Sequence, residues 1–87
     1  MHITPQLEQY QKDNAKLCKI FSNRLKKLKA NRCMTLEEIA DILGISRQSV
    51  VYYSMGDRLP SVPIIIRIAK LFGTSVDYLL GVSNKKS

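Results

Sequence analysis

Histidine and cysteine are scarce in this sequence, and that scarcity removes whole classes of chemistry. His2 is the only histidine, and Cys18 and Cys33 are the only cysteines. A structural zinc site draws on about four Cys or His ligands, so no metal site is expected. Two thiols are too few for a disulfide framework, and they are expected to be reduced and to fill small-residue roles. The opening Met1-His2-Ile3-Thr4-Pro5 has no basic stretch followed by an apolar one. A secretory leader is therefore not expected, and the expected location is the cytoplasm. No apolar run approaches the roughly 18 residues of a membrane span. Glycine-rich phosphate loops are missing too, since the four glycines are dispersed. Glu37, Glu38 and Asp41 fall on the exposed side of a short predicted helix, not around a pocket, and His2 is far from any serine–carboxylate pair. Neither catalysis nor a cofactor is expected. No segment alternates for long enough to suggest a sheet.

What the chain does have is positive charge. It carries 14 basic against 7 acidic residues, a net charge of +7. Such an excess favours polyanionic partners, either nucleic acid or an anionic membrane surface. The bases crowd the first third, with Lys12, Lys16, Lys19, Arg24, Lys26, Lys27, Lys29 and Arg32 against Glu8 and Asp13 alone. A run such as Lys26-Lys27-Lys29 is equally at home as a solvated helix face. With 87 residues and 45% hydrophobic content, the chain is expected to fold as one small domain.

Helix punctuation is dense. Gly44, Gly56, Gly73 and Gly81 each follow a segment with helical apolar spacing, which marks them as helix-terminating residues. Start signals lie between them. Thr35-Leu36-Glu37-Glu38 has the form of a capping box, and Ser46, Ser61 and Ser75 stand at further N-cap positions. Pro63 is tolerated in a first turn. Helices are predicted near 18–30, 36–43, 47–55, 62–72 and 76–80. Their apolar stripes agree: Phe21, Leu25 and Leu28; Ile39, Ala40 and Leu43; Val50 and Tyr53; Ile65, Ile68, Ala69 and Phe72; Val76, Leu79 and Leu80. Ile64-Ile65-Ile66 is β-branched, yet it sits between Pro63 and a helical stripe and is read as helix. Upstream, Thr4 can cap a helix opened by Pro5, and Leu7, Tyr10, Asn14, Leu17 and Phe21 follow a three-four spacing. That segment is either a separate helix, a continuation into the next, or a frayed tail. The expected division is an N-terminal extension over 1–17, a domain over 18–81, and a disordered basic tail over 82–87.

Residues 36–55 read as two short helices joined by a tight corner. Ala40 supplies the small residue where the second helix crosses the first, and Gly44 supplies positive φ in the turn. Ile39, Leu43, Ile45, Val50 and Tyr53 fill the angle. The second helix then starts at Ser46 and exposes Arg47, Gln48, Val51 and Tyr52 at a width suited to a major groove.

On Thr35-Leu36-Glu37-Glu38-Ile39-Ala40, Leu43-Gly44-Ile45-Ser46-Arg47-Gln48-Ser49-Val50, Gly56-Asp57-Arg58-Leu59-Pro60-Ser61 and Ile68-Ala69-Lys70-Leu71-Phe72-Gly73, the chain resembles the XRE or Cro/C1 type of helix-turn-helix protein. The likeness spans about residues 20–81. It implies an all-α, five-helix, lambda-repressor-like domain that binds a double-stranded DNA operator as a homodimer and regulates transcription as a repressor. It implies that Arg47, Gln48, Val51 and Tyr52 face base edges. Thr35, Ser46, Ser49, Arg58 and Ser61 are then phosphate candidates. Leu36 departs from the pattern, since the family often places a phosphate-binding Gln there. The apolar Val51-Tyr52-Tyr53 run also keeps a second reading open. In it the same fold is a protein-interaction module, such as an antitoxin or anti-repressor, whose N-terminal segment adds to the partner surface. With no room in the domain for a ligand sensor, regulation is expected through concentration, a partner or the thiols.

Overall fold

The computed structural model describes residues 5–85. They form α1 (Pro5–Asn31), α2 (Leu36–Leu43), α3 (Arg47–Met55), α4 (Val62–Phe72) and α5 (Val76–Leu79), with no strand among the described residues. The predicted ends of α2 to α5 agree closely, whereas α1 starts at Pro5 and not near residue 18, and Ile64-Ile65-Ile66 lies inside α4. Thr4 and His2 lie outside the described residues.

The first helix settles one alternative. It is a single 27-residue rod, about 40 Å long at 1.5 Å per residue. No glycine or proline interrupts it after Pro5, and its Gln, Glu and Lys residues are good helix formers. Gln9 Nε2 donates to Asp13 Oδ1 at 2.9 Å, one turn away. Its second half is structural, with Cys18, Phe21, Ser22, Leu25 and Leu28 buried. Residues 7–16 are exposed along their whole length.

The core gathers the stripes of all five helices. Phe21, Leu25, Ile39, Leu43, Val50, Ile68 and Leu79 are almost wholly buried, and Met34, Leu36, Ile45, Tyr53 and Leu80 pack around them. Tyr78 is buried as well. At Gly44 the chain leaves α2 with φ 71°, while the Ile45 N–H donates to the Ala40 carbonyl at 3.1 Å. That left-handed turn lets Ile45 fold back onto the core. The same pattern ends α1, but there Cys33 holds the left-handed position (φ 52°), with Met34 N donating to Lys29 O at 3.1 Å.

Three arginines act as struts inside the fold. Arg32 donates to the carbonyls of Leu71 (3.1 Å) and Phe72 (3.2 Å) at the end of α4. Arg67 does the same for Leu43 of α2 at 3.2 Å. Arg24 lies 4.3 Å over the Tyr78 ring and donates to Ser83 O and Asn84 Oδ1. Cations at helix C-termini satisfy orphan carbonyls and oppose the helix dipole. Arg24 and Arg32, counted above in the basic crowd, are thus engaged within the chain. Residues 82–85, expected as the start of a disordered tail, carry hydrogen bonds: Val82 N and Ser83 N donate to Asp77 O. Lys86 and Ser87 lie outside the described residues.

Candidate nucleic-acid interface

The corner between α2 and α3 is built from local hydrogen bonds. Thr35 Oγ1 accepts the Glu38 N–H at 3.1 Å, and the Glu38 carboxylate accepts the Thr35 N–H at 3.0 Å. The capping box read from sequence is therefore complete. It also narrows the phosphate role expected there. Two of the first-turn donors are engaged internally, which leaves the Leu36 and Glu37 N–H groups, with the Glu37 carboxylate close by. Leu36 is half-buried against the core rather than turned to an outside ligand.

α3 has little intrinsic reason to be helical, because Val50, Val51, Tyr52 and Tyr53 are β-branched or aromatic. Packing holds it instead. Val50 is buried at its centre, and Ser22 of α1 donates its hydroxyl to the Ser54 carbonyl. At the α3 start, Ser46 Oγ accepts the Ser49 N–H (3.1 Å) and the two hydroxyls lie 2.9 Å apart. One hydroxyl proton is used in that bond, so the other can serve an outside acceptor.

The outward residues of α3 divide into two groups. Arg47 and Gln48, on its first turn, are exposed. Arg47 Nε sits 3.7 Å from Glu37 Oε1, with the two side chains 59% and 76% exposed. A solvated pair of this kind contributes little and yields readily to a better anion. Val51 and Tyr52 were expected to be exposed, but both are half-buried. At Tyr52 the reason is the loop after α3. It returns past the helix and lays the Arg58 guanidinium 4.4 Å over the Tyr52 ring. Arg58 and Tyr52, expected to act separately, form one cation–π unit. Met55, at the far end of the same stripe, is 64% exposed and was not singled out from the sequence.

The structure brings Lys29, Thr35, Glu37 and Arg47 around one shallow depression, together with Met34 and Leu36. Lys29 was visible in the sequence only as part of a lysine run. Its place beside Thr35 comes from the turn that ends α1. At the start of α4, Ser61 is exposed in the N-cap position, but its side chain makes no capping bond. Pro63 removes one of the two N–H groups such a cap would bind, and the hydroxyl remains for other use. Among the described residues, no cluster of His, Cys, Asp or Glu could hold a metal ion. None of the described helices is long and apolar enough to cross a membrane.

Comparison with known proteins places this geometry. A family model described as Helix-turn-helix matches residues 25–79. YqaE of Bacillus subtilis, an uncharacterized HTH-type transcriptional regulator, is 40% identical over 68 residues, covering 77% of this chain and 59% of its own. AnsR, an HTH-type transcriptional regulator of the same organism, is 36% identical over 64 residues, 74% of this chain and 55% of its own. RstR, the cryptic phage CTXphi transcriptional repressor of Vibrio cholerae, is 25% identical over 64 residues, 74% of this chain and 58% of its own. A crystal structure of a transcriptional regulator from Listeria innocua superposes with a TM-score of 0.67 at 33% identity, covering 70% of this chain and 57% of that one. The chain thus spans a little over half the length of these relatives.

Proposed function

This chain belongs to the helix-turn-helix family of the XRE/Cro/C1 type, and from that premise we propose that it binds double-stranded DNA sequence-specifically and regulates transcription. The observation that carries the reading is the first turn of α3. Arg47 and Gln48 stand exposed there, on a helix propped across the Gly44 corner by α2 and anchored to α1. In a major groove, Arg47 can fork onto guanine O6 and N7, and Gln48 onto adenine N6 and N7. Val51 lies beside them, within reach of a thymine methyl. Lys29, Thr35, Ser46, Ser49 and Ser61 are the proposed phosphate contacts. Arg58, held over the Tyr52 ring, is a further one. Such contacts set register and orientation while the base contacts set sequence. We further propose a homodimer on a two-fold operator, with the two α3 helices about 34–36 Å apart, acting in the cytoplasm as a repressor.

The reading as a protein-interaction module drew on the extra N-terminal segment, whose residues 7–16 are exposed, and on an exposed apolar α3 face. Tyr52 under Arg58 and the half-burial of Val51 weaken the second of these grounds. Selection of bound duplexes from a random pool, followed by titration over a range of salt, tests the proposal. DNA binding through several phosphates weakens steeply, with a slope of about −0.9 per phosphate contact on logarithmic axes. Failure to enrich any sequence, or affinity indifferent to salt, would end it.

A further inference from the structure

We infer that Glu37 is a specificity-determining residue that tethers Arg47 and so steers it toward a guanine edge and away from backbone phosphate, a role that rests on the DNA-binding reading proposed above.

Glu37 stands apart from the other acids of the chain. Seven acidic residues accompany 14 basic ones, yet among the described residues the Glu37–Arg47 contact is the only ion pair. The neighbouring Glu38 is consumed by the capping box, where its carboxylate accepts the Thr35 N–H. Glu37 is left over, in the depression that it shares with Lys29, Thr35 and Arg47. The fold has little use for the pair. An acid in a first helical turn is favoured by the helix dipole without any cation, as Asp77 is in α5, and a solvated pair adds little to stability. Its distinctive effect is to set a negative charge beside the arginine assigned to base reading.

The geometry of the contact gives that charge a selective action. Glu37 Oε1 lies 3.7 Å from Arg47 Nε, a Coulombic contact and not a hydrogen bond. It occupies the Nε edge of the guanidinium. The N–H groups of Nη1 and Nη2 have no acceptor among the described residues. A guanidinium presents five donors in a rigid fork. Its far end can therefore bond guanine O6 and N7 while the Nε edge keeps Glu37.

Phosphate differs in charge. Guanine O6 and N7 are neutral acceptors, whereas a phosphate is an anion brought close to the carboxylate, well inside the screening length of about 8 Å. Arg47 then either holds two anions at once or leaves Glu37 unpaired beside the DNA backbone. Both arrangements cost free energy on every sequence, and the guanine complex avoids both. Glu37 thus lowers non-specific affinity while leaving operator affinity nearly intact. Because the pair is exposed, the effect is modest, on the order of the two- to fivefold expected of a surface ion pair.

Fluorescence anisotropy of the 87-residue chain on a selected duplex and on an unrelated duplex of equal length, over a salt series, tests the role. Glu37→Gln keeps the shape and removes the charge. It is expected to bind the unrelated duplex about two- to fivefold more tightly, with a salt slope steeper by up to about 0.9 as Arg47 gains a phosphate. The selected duplex should stay within about twofold of wild type, so the specificity ratio falls. Asp77→Asn removes the same charge at the matching exposed position of α5 and should leave the ratio unchanged. In an Arg47→Ala background, Glu37→Gln should no longer alter the ratio. A ratio equal to wild type in Glu37→Gln, a ratio lowered only through weaker operator binding, an equal fall in Asp77→Asn, or an effect that survives in full without Arg47 would each overturn the role and leave the DNA-binding reading standing. A wild-type chain that enriches no duplex would overturn that reading and this role with it.

Discussion

Replacing Tyr52 by alanine separates two roles the ring could have at a DNA surface. If the ring is a platform for Arg58, its loss acts through a phosphate contact. A guanidinium 4.4 Å above a half-buried ring gains about 0.5–2 kcal/mol from the arrangement. One phosphate contact contributes a salt slope of about 0.9, or roughly fivefold in affinity (~1 kcal/mol) near 0.15 M salt. Arg58→Ala is therefore expected to lower affinity about fivefold and to flatten the slope by about 0.9. Tyr52→Ala should lower it about two- to fivefold, the same for every sequence tested, and Tyr52→Phe should stay near wild type. The double variant should be no weaker than Arg58→Ala alone, since the two side chains act as a unit. Fluorescence anisotropy on a selected duplex and its point variants, over a salt series, measures all four. Strictly additive losses, or a Tyr52→Ala effect confined to one base pair with the slope intact, would refute the platform and return the ring to thymine reading.

Further outcomes follow from local geometry. Gln48→Ala is expected to cost about 1–3 kcal/mol and to relax preference at one operator position; a uniform loss on all duplexes would remove Gln48 from base reading. Gly44 sits at φ 71° with nothing within 4 Å of an added Cβ, so the penalty of Gly44→Val is conformational, about 1–2 kcal/mol, and thermal melting should fall by several degrees. At Gly81 an added Cβ would also come within 2.8 Å of Ile20 Cγ2, so Gly81→Ala should melt below Gly44→Ala; the reverse order would contradict the packing of residue 81 on α1. Cys33→Gly is expected to stabilise by about 0.5–1 kcal/mol, because glycine adopts the left-handed turn that Cys33 now holds (φ 52°) without penalty. A lower melting temperature would count against that turn.

Much of the helix pattern could be read in advance because the signals lie within a few residues of their effects. Thr35 and Glu38 bond each other, Ser46 and Ser75 cap the helices that follow them, and Gly44 turns the chain beside the residues it releases. The exposure of Arg47 and Gln48 was legible too, since Val50 and Ile45 face inward around them. By contrast, Val51 and Tyr52 were misjudged. Both are half-buried; over Tyr52 lies Arg58 from the loop that follows, and no periodicity within α3 reports a neighbouring loop. The arginines show the same limit. Arg24 and Arg32 were read only as part of the basic crowd and Arg67 was not singled out, yet each reaches carbonyls 24 to 60 positions away.

Hydrogen bonds between near neighbours and the turn angle of a helix are set by the order of residues alone. From that order come the lengths of α2 to α5, the corner at Gly44 and the side of α3 that faces outward. Long-range packing assigned the rest: Arg58 to the Tyr52 ring, Lys29 to the depression beside Thr35, and the exposed half of α1 to a face that nothing in the described fold covers. Those assignments depend on which distant segments arrive at the same place. A one-dimensional pattern carries no distance between segments that loops bring together.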